Sequence, residues 1–201
     1  MYVKICGLRT AEHARVAIDA GARAVGVVMN RTSSRRATPE EALAVIEAAR
    51  GSADTVLVVN DMPADEAART ARRLGFDVLQ LHGKAYDEAD FAAARAIVPR
   101  VWRATSLDLD PPLDVGAWGE ELLLLDAPKP GSGETWDLSE LADRAPAGSW
   151  LLAGGLSTAN VAAAVAAVRP WGVDVSSGVE VAPGEKSSDL IRAFVAAALA
   201  P

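Results

Sequence analysis

Eight short apolar runs recur along this chain, and their spacing limits the fold more than any other feature. They read YVKIC (2–6), AVGVVM (24–29), TVLVVN (55–60), VLQLH (78–82), VWRATS (101–106), LLLLDA (122–127), WLLAGG (150–155) and GVDVSS (172–177). Each is β-branched or leucine-rich without strict polar alternation, the pattern of strands covered on both faces. Longer alanine-rich stretches between them carry helix signals. Thr38-Pro39-Glu40-Glu41 sets an N-cap, an N1 proline and an N3 glutamate in order. Gly21 and Gly75 fall where the first and third helices should end. Val161, Ala164, Val165 and Val168 share one helical face, as do Leu190, Ile191, Phe194 and Val195. The strand ends, from Cys6 to Ser176, recur about every 24 residues, which suits repeated strand–helix units. Eight such units predict a closed (β/α)8 barrel, the TIM-barrel architecture, as a single domain over residues 1–201. A doubly wound open sheet is the competing arrangement. One unit is irregular: SLDLDPPLDVGAWGEE (106–121) holds two prolines and two glycines. A loop or a single turn is expected there in place of the helix after strand five.

Composition narrows the functional classes. The 201 residues are 50% hydrophobic, enough for a sizeable core. One cysteine cannot form an internal disulfide, which fits a reducing compartment and an expected cytoplasmic location. The N-terminus enters a strand-like run at once, so no signal peptide is expected. No apolar run approaches the ~18 residues of a membrane span. A net charge of −7 argues against nucleic acid as a partner. An anion would then be held by a local site rather than by the overall field.

In a barrel the strand C-termini share one end, and that end holds the active site. Cys6, ending strand one, and Asp126, ending strand six, approach it from different sides. A thiolate and a carboxylic acid so placed are a candidate base and acid. The competing readings are a cysteine packed as a small hydrophobe and an aspartate bonded to its own loop. Strands seven and eight end in Gly154-Gly155 and Ser176-Ser177-Gly178. Exposed amides at such turns bind phosphate, and barrels often place a phosphate site there; glycine also serves simple tight turns. After strand two, Arg35 and Arg36 suit a carboxylate or a phosphate, or a solvated loop. After strand six, KPGSGETWD (129–137) is a loop that either folds over a ligand or simply connects. His82 ends strand four, and His13 lies on the first helix at the surface. One strand-end histidine and one thiol fall short of the three or four ligands of a metal site. No Gly-x-Gly-x-x-Gly follows the first strand, so no dinucleotide is implied either.

Six segments in order carry a family resemblance: KICG (4–7), GARAVGVVMNRTSSRR (21–36), DVLQLHG (77–83), LLLLDAPKPGSGETWD (122–137), LLAGGLSTANV (151–161) and GVDVSSGVEVAPGEKS (172–187). Together they resemble the phosphoribosylanthranilate isomerase family along the whole chain. Two departures stand out. Ser34 replaces the proline of a usual Ser-Pro-Arg, and Pro130-Gly131-Ser132-Gly133 replaces a usual Gly-Gly-Thr-Gly. The resemblance implies an Amadori rearrangement without cofactor or metal. Asp126 would be the acid and Cys6 the base, with Arg35 facing the anthranilate carboxylate. Gly154, Gly155, Ser176, Ser177 and Gly178 would hold the phosphate, with His82 and Asp174 near the pocket. The partner implied is a small-molecule phosphosugar, with a monomer or homodimer as the assembly. For this chemistry a buried carboxyl should shift upward, and a thiol near positive charge downward. The rival classes are a metal-dependent pentose-phosphate epimerase on the same barrel and a non-catalytic phosphosugar-binding module.

Overall fold

The computed structural model describes residues 1–127, 138, 141 and 144–200. Eight parallel strands close into a barrel in chain order. They are β1 (Tyr2–Ile5), β2 (Ala24–Val28), β3 (Asp54–Val59), β4 (Val78–His82), β5 (Val101–Thr105), β6 (Leu122–Leu125), β7 (Trp150–Leu152) and β8 (Gly172–Val175). β1 pairs with both β2 and β8, with Lys4 in register with Ala24 on one side and Asp174 on the other. That double pairing closes the sheet and excludes the open alternative. The helices that lie wholly among the described residues are α1 (Ala11–Ala20), α2 (Pro39–Ala49), α3 (Ala64–Leu74), α4 (Glu88–Arg95), α5 (Val161–Val168) and α6 (Ser188–Leu199). A small antiparallel hairpin, β9 (Glu180–Ala182) with β10 (Glu185–Lys186), sits between β8 and α6. Among the described residues no helix is long and apolar enough to cross a membrane.

Local chemistry sets the helix ends. Thr38 and Glu41 form a reciprocal capping box with Pro39 in the first turn of α2. Gly21 ends α1 at φ 110°, a left-handed conformation that costs a glycine nothing. The strands are buried on both faces, and the core has two parts. Outward side chains such as Val3, Ile5, Leu57 and Leu79 pack beneath the helices. Inward ones such as Val56, Val58, Trp102 and Leu124 fill the barrel. A strand with an apolar shell on each side has no polar face, hence the unbroken apolar runs.

The sector after β5 lacks a helix, as the sequence predicts, and carries a single 3-10 turn at Leu107–Leu109. A buried ion pair secures the loop that replaces it. Arg103, on β5, is 1% exposed and meets Glu120. Its Nε donates to Glu120 Oε1 at 2.8 Å, and its Nη2 donates to the Pro112 carbonyl at 2.8 Å. Glu120 Oε2 accepts the Trp118 amide at 2.9 Å, and the Trp118 ring lies 4.9 Å from the guanidinium carbon. Leu113, Val115 and Trp118 then pack on the outer core in place of a helix face. Removing one partner strands a buried charge, which typically costs about 3–5 kcal/mol. Glu120→Ala is therefore expected to lower Tm by about 6–20 °C, measured by thermal denaturation. A drop of only a degree or two would show that the loop holds without the pair.

Candidate active site

Cys6 sits at the barrel mouth because the β1/β8 ladder runs one residue past the strand: its amide donates to the Val175 carbonyl at 2.8 Å. The Asp126 amide donates to the Thr105 carbonyl at 2.8 Å, extending the β5/β6 ladder in the same way. Both groups are thus fixed by sheet rather than loop. Their side chains line one cavity of about 290 Å³, which His82, Asp174 and Arg35 also line.

Beneath the thiol lies a group that sequence reading missed. Lys4 is fully buried inside the barrel, and its Nζ donates to Asp174 Oδ1 at 2.8 Å. Burial opposes the charge on Lys4, but Asp174 and the thiol side outweigh it and raise the ammonium pKa. A Cβ on Gly26 would lie 3.0 Å from Cys6 Sγ and 3.2 Å from Lys4 Cε. Only a glycine in β2 leaves room for the thiol and the lysine stem side by side. The signal was present: a lysine inside an apolar strand covered on both faces needs a buried counter-charge.

The two candidate proton carriers are pushed the same way. Burial, reinforced by the Asp174 charge, raises the Asp126 pKa to about 7, against the pull of the Ala127 amide that bonds Oδ1 at 2.8 Å. This is the upward shift expected of the acid. Cys6 differs from expectation. Burial pushes the thiol up, and the nearby Lys4 and Lys186 ammoniums only partly counter it. Positive charge does surround the thiol, but desolvation outweighs it. His82 Nε2 lies 3.6 Å from Asp126 Oδ2, beyond hydrogen-bond range. Burial and the Lys4 charge lower its pKa to about 4, so His82 is neutral at physiological pH.

Arg35 reaches the cavity, whereas Arg36 is exposed on the loop. Arg35 is already engaged by Glu180, in the hairpin, through bonds of 2.7 and 2.8 Å. Lys186 donates to the same Glu180 at 2.7 Å. Neither hairpin residue was singled out from sequence, because the hairpin follows a strand end that reads as a simple turn. Gly154, Gly155, Ser176 and Ser177 line a second, smaller cavity of about 40 Å³ beside Asp126 and Asp174. The two late turns pack closely: a Cβ on Gly178 would lie 1.9 Å from the Leu156 carbonyl oxygen. Asp174 lines both cavities, with Oδ1 committed to Lys4. Among the described residues no three His, Cys, Asp or Glu side chains are grouped to hold a metal ion. The KPGSGETWD segment lies outside the described residues.

With its ionisable groups gathered at the C-terminal mouth of a closed barrel, the chain falls in the class of (β/α)8-barrel enzymes. A family model described as N-(5'phosphoribosyl)anthranilate (PRA) isomerase matches residues 3–197. The chain belongs to that family of isomerases of tryptophan biosynthesis. It is 42% identical over 214 residues to the N-(5'-phosphoribosyl)anthranilate isomerase of Paracoccus denitrificans, covering 99% of this chain and 97% of that protein. The crystal structure of TrpF from Jonesia denitrificans superposes with a TM-score of 0.91 at 52% identity, over 98% and 96% of the two chains. A phosphoribosylanthranilate isomerase in complex with reduced 1-(o-carboxyphenylamino)-1-deoxyribulose 5-phosphate superposes with a TM-score of 0.83 at 30% identity, over 98% of each chain.

Proposed function

We propose that the chain, working as one catalytic unit, converts N-(5-phosphoribosyl)anthranilate to 1-(2-carboxyphenylamino)-1-deoxyribulose 5-phosphate, with Asp126 as general acid and Cys6 as general base. The observation that carries this reading is a carboxyl with a pKa near 7 facing the same cavity as the chain's one thiol. Asp126 gives its proton to the furanose ring oxygen as the C1′–O bond breaks and the nitrogen lone pair forms the iminium ion. The iminium makes the C2′ proton acidic. Cys6 removes it, the C–H electrons form the C1′–C2′ double bond, and the enolamine tautomerises to the ketone. No cofactor enters the scheme.

Acid and base must hold opposite protonation states, and their pKa values constrain how. With both shifted upward, the working form carries its proton on Asp126 and none on Cys6. It differs from the form with a thiol and a carboxylate only by the position of one proton. The two forms share a net charge, so pH alone does not interconvert them, and the site titrates as a pair. Lys4 and Lys186 favour the thiolate member.

The substrate phosphate belongs at the late turns, among Gly154, Gly155, Ser176, Ser177 and Gly178, and the anthranilate carboxylate at Arg35. His82, as a neutral ring near Asp126, is a candidate hydrogen-bond partner for a sugar hydroxyl, and Asp174 holds Lys4 beside the thiol. Gly178→Asp should drive the turns apart and set a like charge beside the phosphate. KM is expected to rise about 10–150-fold, the worth of one charge-assisted hydrogen bond, in steady-state assays. An unchanged KM would move the phosphate elsewhere on the mouth. The reading as a whole is tested with purified protein and freshly made phosphoribosylanthranilate, following loss of anthranilate fluorescence. No turnover by the folded protein refutes it. Turnover that survives chelators separates it from a metal-dependent epimerase.

A further inference from the structure

Arg35, Glu180 and Lys186 come from three separate stretches: the loop after β2, the first residue of β9, and β10. Glu180 grips the guanidinium edge-on, Nε donating to Oε1 at 2.7 Å and Nη2 to Oε2 at 2.8 Å. Lys186 Nζ donates to the same Oε1 at 2.7 Å, to the Ser176 carbonyl at 2.8 Å and to the Ser176 hydroxyl at 3.2 Å. All three side chains are largely buried, at 15%, 5% and 2% exposure for Arg35, Glu180 and Lys186. One carboxylate therefore faces two cations, and the cluster keeps one net positive charge at the cavity wall.

A guanidinium offers two edges to planar anions. Glu180 occupies the Nε/Nη2 edge. Among the described residues nothing bonds Nη1, which leaves the Nη1/Nη2 edge for a second carboxylate. The arginine stem is confined as well: its Cδ lies 2.9 Å from where a Cβ on Gly7 would stand. The hairpin presses on the loop that carries Arg35, since a Cβ on Gly184 would lie 2.6 Å from the Ser34 carbonyl oxygen. Arginine side chains lose much rotamer freedom when they bind, and one already fixed loses less.

We propose that Glu180, itself held by Lys186, is a positioning residue that fixes Arg35 with its Nη1/Nη2 edge turned toward the aryl carboxylate of the substrate. This rests on the assignment of Arg35 to that carboxylate. The test compares two probes by calorimetry on the full chain: reduced 1-(o-carboxyphenylamino)-1-deoxyribulose 5-phosphate and its counterpart lacking the carboxyl. Glu180→Ala is expected to weaken the carboxylated probe about 10-fold or more and leave the other nearly unchanged. Glu180→Gln should fall between, because an amide oxygen accepts only part of the fork. Simple electrostatics predicts the opposite sign, since removing a negative charge beside Arg35 should tighten an anion. Tighter or unchanged binding of the carboxylated probe overturns the proposal. So does an equal loss for both probes, which would mean that Glu180 shapes the whole mouth. Arg35→Ala separates the two readings. It should weaken only the carboxylated probe, by about 10–150-fold. Should Arg35→Ala spare that probe, the Arg35 assignment falls and this proposal with it; should Arg35→Ala weaken it while Glu180→Ala does not, positioning alone falls.

Discussion

Cys6→Ser is expected to lower kcat/KM by about 10²–10⁴-fold, the usual contribution of a general base, in a protein that melts at the wild-type temperature. The side chain is 7% exposed and wedged over Gly26. Serine has nearly the same shape and fits the same gap, so the packing survives. Its hydroxyl is far harder to deprotonate than a thiol, even beside the Lys4 ammonium, and it makes a poor base. The fluorescence assay reads the loss directly. Near-wild-type turnover would return Cys6 to the role of a small core hydrophobe.

Asp126→Asn should fail as severely but at a different step. The amide keeps the shape, and its oxygen still accepts the Ala127 amide that now bonds Oδ1. It has no carboxyl proton to give, so the variant should stall before the iminium ion forms, with kcat/KM down by about 10²–10⁴-fold. Deuterium at C2′ tells the two variants apart. Where C2′ proton removal limits the rate, an isotope effect appears; residual turnover by Asp126→Asn should show a smaller one, because ring opening then dominates. The wild-type profile should gain activity as pH rises through about 7, where the doubly protonated pair loses its first proton and the one-proton state that includes the working form fills, and that limb should leave pH 7 in the amide variant. Stability carries the opposite sign. The folded state holds the Asp126 proton more tightly than the unfolded chain, so its contribution is full below the ordinary carboxyl range and is lost as pH rises through about 7. Asp126→Asn removes that loss and should be the more stable protein at pH 8. Wild-type kcat/KM in Asp126→Asn would pass the acid role to another group or to water.

The parts of this molecule that were legible in its sequence are those set by local rules. Eight two-sided strands announce themselves as unbroken apolar runs, and the capping box at Thr38 and the glycine at the end of α1 are spelled out in consecutive residues. The mouth residues followed from strand ends alone, because a barrel sends every strand C-terminus to one rim. What escaped is what depends on pairs distant in the chain. Lys4 and Asp174 lie 170 positions apart, and Arg35 and Glu180 lie 145 apart. No periodicity couples them; only the closed sheet and the hairpin do. The thiol was misjudged for a related reason. Neighbouring positive charge can be guessed from a motif, but the depth of burial that outweighs it is a property of the assembled barrel.

The closure of the sheet also has a temporal side. Lys4 is made 170 residues before its partner Asp174. Proteins are made at about 5–20 residues per second, so the first strand spends on the order of ten seconds without its final neighbour. During that interval neither a dry interior nor a set thiol environment exists around Cys6. Because β8 completes the wall, the surroundings of Cys6 are set only when β1 and β8 meet. A chain that stops before β8 therefore carries the same thiol and lysine without Asp174, and its first strand offers an open edge to other chains.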